Sequence, residues 1–106
     1  MKVFVDECVT YLLMAHFTRH DFTHILDTPW RGMKNGALLR LVASEYDVFL
    51  TTDRHIPHQQ NLRKLNLAFV IIHGVSNKID DLLPLAPKTI DALDHISPGD
   101  LVIISA

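Results

Sequence analysis

A single cysteine, Cys8, stands in the 106 residues of this chain. With no second thiol, no disulfide can close within it, which suits a reducing compartment. Long hydrophobic runs are missing too. None approaches the roughly 18 apolar residues that a membrane-spanning helix needs. The opening Met1-Lys2-Val3-Phe4-Val5-Asp6 carries an acid at its sixth position, which does not fit a secretory signal. The expectation is a cytoplasmic protein without membrane contact. No repeat, low-complexity stretch or linker divides the sequence, so one domain over 1–106 is expected. A strong charge of one sign is also lacking. The net charge of −2 by itself argues against a strongly basic nucleic-acid binder.

What is present is ordinary globular material, 48% hydrophobic and 21% charged. A chain of this length can build a real core, removing about 60–70% of the unfolded surface from water. The charge is unevenly spread. Six basic residues (Arg31, Lys34, Arg40, Arg54, Arg63, Lys64) face three acids between Pro29 and Lys64. Between Ile79 and Ala106, five acids face Lys88 alone. The basic middle is either an ordinary solvated face or a region that meets an anionic ligand.

Apolar periodicity gives alternating elements. Val3-Phe4-Val5 reads as a strand ending at Asp6. Val9, Leu12, Leu13 and His16 then recur at helical spacing, predicting a helix of about three turns that ends near Asp21. A second strand is expected over Phe22 to Leu26. A loop follows from Asp27 to Gly36, broken by Pro29, Gly32 and Gly36. Ala37 to Tyr46 reads as a helix, and Val48 to Thr52 as a strand ending at Asp53. The polar His55 to Asn66 reads as a loop with one or two helical turns. Leu67 to Ile72 fits a strand buried on both faces. Ile79 to Ile96 reads as a helix with Pro84 and Pro87 in its first turns. Leu101 to Ile104 reads as the last strand.

This alternation predicts an α/β fold, a three-layer α/β/α sandwich around a mostly parallel five-stranded sheet. The simplest strand order is 2-1-3-4-5, with the first and third strands adjacent at the topological switch point. Ligands of such sheets bind there, outside the carboxyl ends of the strands. Asp6 and Asp53 stand at those two ends. A pair of converging carboxylates repels unless a cation lies between them, and Mg²⁺ accepts one or two carboxylates together with water and phosphate oxygens. Such an ion activates water and neutralises charge at a phosphodiester. The other reading of the same residues is structural: Asp6 caps the following helix and Asp53 begins an Asx turn.

Several short segments together resemble the PIN-like family of small bacterial proteins, relatives of the ribonucleases of toxin–antitoxin pairs. They are Val5-Asp6-Glu7, Gly32-Met33-Lys34-Asn35-Gly36-Ala37-Leu38-Leu39, Val48-Phe49-Leu50-Thr51-Thr52-Asp53-Arg54 and Gln59-Gln60-Asn61-Leu62. The resemblance covers nearly the whole length. It implies a PIN-like fold and a metal-dependent endoribonuclease, with Asp6 and Asp53 holding Mg²⁺ or Mn²⁺ and Asn35 completing the catalytic set. Family members often carry Asp or Glu at the position of Asn35, and an acid shortly after that of Asp53, where Arg54 and His55 stand here. An amide is a neutral ligand, so the implied site binds metal more weakly. The implied partners are RNA and an antitoxin protein, and a homodimer is left open. The alternative is a non-catalytic PIN-like module that binds RNA or protein.

Arg31, Lys34 and Arg54 are the candidates for phosphate contact. Trp30 either stacks on a base or closes over the core. Gln59, Gln60 and Asn61 either touch RNA or cap a short helix. The seven histidines, including His16, His20, His24, His55 and His58, lack the partners of a zinc pattern. Cys8 follows Glu7 at a helix start and reads as a small buried residue.

Overall fold

The computed structural model describes residues 1–33, 35–56 and 65–106, the side chain of Asn35 excepted. Its strands are β1 (Lys2–Val5), β2 (Asp21–His24), β3 (Val48–Thr51), β4 (Ala68–His73) and β5 (Leu101–Ser105). They form one sheet in the order β2-β1-β3-β4-β5, every pair parallel. Lys2 pairs with Asp21, Val5 with Leu50, Leu50 with Val70, and Ile71 with Ile103.

Side chains alternate across the sheet, and each face feeds its own core. On one side Phe4, Phe49 and Phe69 meet Leu38, Leu39 and Val42 of helix α1 (Asn35–Glu45). On the other, Val3, Val5, Val48, Leu50, Val70 and Ile72 meet Leu13, Leu82, Leu85, Ile90 and Leu93. Helical layers therefore cover both faces, and β3 is buried along its whole length, as its uninterrupted apolar run requires. Truncating a fully buried ring such as Phe4 to alanine costs about 3–5 kcal/mol in sites of this kind.

The first helix differs from the sequence expectation. It is a 3₁₀ segment, Tyr11–His16, capped by the Thr10 hydroxyl on the Leu12 amide, and it ends five residues before Asp21. Only Leu13 of it is buried, and Leu12 is 66% exposed. The chain must then return to pair Asp21 with Lys2. Arg19 assists the reversal at φ 72°, a left-handed conformation uncommon outside glycine. The second strand also stops early, at His24 rather than Leu26. The His24 ring accepts from the Leu26 amide at 3.2 Å and starts a 3₁₀ turn, Ile25–Asp27.

The expected long helix over Ile79 to Ile96 is broken into α2 (Ile79–Leu82), a 3₁₀ turn (Leu83–Leu85) and α3 (Ala86–Leu93). Each proline opens a new segment. Lacking an amide proton and crowding the preceding turn, neither can lie inside a continuous helix without bending it. Pro84 and Pro87 therefore divide the helix rather than share its first turns.

Candidate active site

The site grows from the pairing of β1 with β3. The Asp6 amide donates to the Leu50 carbonyl at 2.9 Å, so the ladder runs one residue past β1 and sets Asp6 beside Thr51. Thr51 is fully buried at the end of β3. Its Oγ1 donates to Asp6 Oδ2 at 2.9 Å and accepts from the Asp53 amide at 3.0 Å. One hydroxyl thus fixes the side chain of one acid and the backbone of the other.

Both acids also do local structural work. Asp6 Oδ1 accepts from the Glu7 amide at 2.8 Å, and Asp53 Oδ1 accepts from the His55 amide at 2.9 Å. The second is the Asx turn that the structural reading of the sequence describes. Among the described residues, Asp53 Oδ2 makes no hydrogen bond, and neither acid joins a salt bridge. Asp6, Glu7, Cys8, Thr52 and Asp53 line one cleft of about 370 Å³, with Ile25, Met33 and Leu38 also along its walls. This cleft lies where β1 and β3 end, at the switch point of the sheet.

Cys8 is half-buried, and it belongs to this site rather than to the core alone. Its thiol lies 3.1 Å from Thr51 Oγ1 and 3.5 Å from Asp6 Oδ2, and it accepts from the Thr52 amide at 3.4 Å. Burial pushes the thiol pKa above its ordinary 9.0, and the Asp6 carboxylate pushes it further in the same direction. Cys8 is therefore a neutral donor at physiological pH, not an activated thiolate.

The other candidates are more dispersed. Arg54 is exposed and donates from Nη2 to the Gly74 carbonyl at 2.8 Å. Gly74 allows the close packing of this loop, since a Cβ there would sit 2.8 Å from the Ser76 carbonyl oxygen. Arg31 is exposed. Lys34 lies outside the described residues, as do His58, Gln59, Gln60 and Asn61. Asn35 opens α1, two residues ahead of the helix start expected at Ala37, and its side chain lies outside the described residues.

Trp30 packs against Phe4 and Tyr46, with ring centroids 5.8 and 6.1 Å away, so it closes over the core. His20 meets Asp94, His24 is buried with Nε2 donating to the Val9 carbonyl, and His16 and His55 are exposed. His73 is half-buried at the carboxyl end of β4, and among the described residues its Nε2 has neither solvent nor a partner. Burial, then the nearby Arg54 charge, hold its pKa below the usual 6.5.

Thr51 and Cys8 carry the geometry of the site, yet sequence reasoning gave neither a role there. The available signal was the polar pair Thr51-Thr52 closing an otherwise apolar strand. The donor set suits a hard, largely hydrated ion, because Asp6 and Asp53 offer carboxylate oxygens and leave room for water and phosphate ligands. It does not form a cage. Among the described residues no three His, Cys, Asp or Glu side chains are grouped to hold a metal. No protein-family model, curated protein or solved structure matches this chain.

Proposed function

We propose that this chain is a PIN-like, Mg²⁺- or Mn²⁺-dependent endoribonuclease of the toxin type, acting in the cytoplasm and paired with an antitoxin protein. The observation that carries the reading is the shared Thr51 hydroxyl, which organises Asp6 and Asp53 in one cleft at the sheet's switch point. Asp6 and Asp53 would hold the ion, which would supply water activation and charge neutralisation at a phosphodiester. The chain's own part is positioning. Thr51 holds Asp6 in one orientation, Glu7 and His55 amides fix the first oxygen of each acid, and among the described residues Asp53 Oδ2 makes no hydrogen bond. Arg54, tied to the Gly74 carbonyl, keeps a positive charge beside the carboxyl edge for an incoming phosphate.

One observation favours the second reading, a non-catalytic PIN-like module that binds RNA or protein. Both acids already accept from local amides, although Thr10 rather than Asp6 caps the segment after β1, and no third acid joins them in a metal-holding group among the described residues.

Calorimetric titration with Mn²⁺, alongside an RNA cleavage assay, separates the two. Asp6→Asn and Asp53→Asn are expected to abolish metal binding and cleavage while leaving a folded protein. Metal affinity unchanged in both variants refutes the metal site. RNA binding without cleavage in the parent supports the module instead.

A further inference from the structure

The two edges of the sheet are unlike. The β2 edge carries Asp21, and such charges discourage pairing with another chain. The β5 edge reads Leu101-Val102-Ile103-Ile104-Ser105, without charge or proline. Leu101 and Ile103 are 41% and 51% exposed.

Its backbone is open in a regular way. The Phe69 amide donates to the Asp100 carbonyl at 2.8 Å, and Phe69 is the register partner of Leu101. In a parallel ladder the residue flanked by the bonded pair directs its own amide and carbonyl away. The backbone groups of Leu101, Ile103 and Ser105 therefore point outward. Among the described residues, one outward group has a partner, the Ser105 carbonyl, which accepts from Lys88 Nζ at 3.0 Å.

We infer that β5 is the seam of a two-fold homodimer, in which β5 of one copy pairs antiparallel with β5 of the other around Ile103. The axis stands perpendicular to the sheet, so the two five-stranded sheets join edge to edge and each face stays on its own side. Ile103 then exchanges both backbone bonds with its symmetry mate, and Leu101 does so with the partner copy's Ser105. The half-exposed Leu101 and Ile103 side chains cover one another along one face.

Charge complementarity selects a second copy as the occupant. The Lys88 ammonium sits on the Ser105 carbonyl, and Asp100 immediately precedes Leu101. Because Leu101 stands opposite the other copy's Ser105, each Lys88 is carried to the other copy's Asp100. An isologous interface makes that pairing twice, once at each end of the seam. This inference is independent of the proposed chemistry at Asp6 and Asp53.

Analytical ultracentrifugation of the full chain over a broad concentration series tests it. The parent is expected to reach twice the chain mass of 12.0 kDa. Ile103→Lys, which sets two ammonium groups face to face on the axis, is expected to sediment as a single chain with an unchanged far-ultraviolet spectrum. Lys88→Glu is expected to weaken association, and adding Asp100→Lys to restore it. The register is read by cross-linking in a Cys8→Ser background. Ile103→Cys is expected to form a disulfide-linked dimer, since an antiparallel bonded pair brings Cα atoms to about 5.5 Å, within disulfide reach. Leu101→Cys is expected not to. A parent that stays at single-chain mass, an Ile103→Lys variant that dimerises as the parent does, or cross-linking at Leu101 in preference to Ile103 overturns the proposal.

Discussion

Replacing Thr51 by valine removes one hydroxyl from the centre of the site with almost no change of shape. In the folded chain that hydroxyl donates to a carboxylate and accepts from the Asp53 amide. A hydrogen bond to a charged group contributes about 1.5–3 kcal/mol, and an amide left without a partner adds a desolvation cost of about 1–3 kcal/mol. Asp53 is only half-buried, so water recovers part of the second term. The expected loss for Thr51→Val is about 2–3 kcal/mol. Thr51→Ser keeps the hydroxyl and gives up a buried methyl, for a loss of about 1 kcal/mol. Urea unfolding reads both. With a slope of about 1–3 kcal/mol per molar, a loss of ~2 kcal/mol moves the midpoint by roughly 0.7–2 M. The same variants divide the metal response. Thr51→Val is expected to lose Mn²⁺ affinity because Asp6 is no longer held, while Thr51→Ser retains it. A valine variant no less stable than the serine variant would refute the claim that this hydroxyl organises the site.

Three further outcomes follow from the same geometry. The Cys8 thiol has a raised pKa when folded, so its contribution is complete below the unfolded thiol pKa and is lost as pH rises through the folded value. Stability of the parent is expected to fall above about pH 9 more steeply than that of Cys8→Ser, and parallel pH profiles would count against the thiol's role. His73 behaves oppositely. Its pKa is lowered on folding, so its contribution is present above the unfolded value of 6.5 and is lost as pH falls through the folded one. His73→Gln is expected to flatten the acid side of the stability profile, and an unaltered acid limb would remove His73 as a cause. If RNA crosses the carboxyl edge, the triple variant Arg31→Ala, Lys34→Ala, Arg54→Ala is expected to show a shallower dependence of RNA affinity on salt, since fewer neutralised phosphates release fewer counterions. An equal slope would move the RNA elsewhere.

The sequence alone determined the layer order, the parallel sheet and the neighbouring positions of Asp6 and Asp53. Each rests on local signals, namely apolar runs that end in acids and segments that alternate between the two periodicities. Right-handed crossovers then leave little choice of topology. Lengths were less legible. The spacing of Val9, Leu12, Leu13 and His16 fits an α-helix, yet the need to bring Asp21 beside Lys2 holds that segment to a short 3₁₀ stretch with Leu12 in solvent. Pro84 and Pro87 are visible in the sequence, but how the helix divides depends on which carbonyls lie beneath them.

Tertiary structure decided how the site works. Thr51 is a strand-end hydroxyl until β1 is laid beside β3, 45 residues away in the chain. Cys8 is a small apolar residue until the same pairing brings its thiol within reach of Thr51 and Asp6. Periodicity reports which face of an element is buried. Which polar group meets which across two strands is set by register, and register exists only once the sheet has formed.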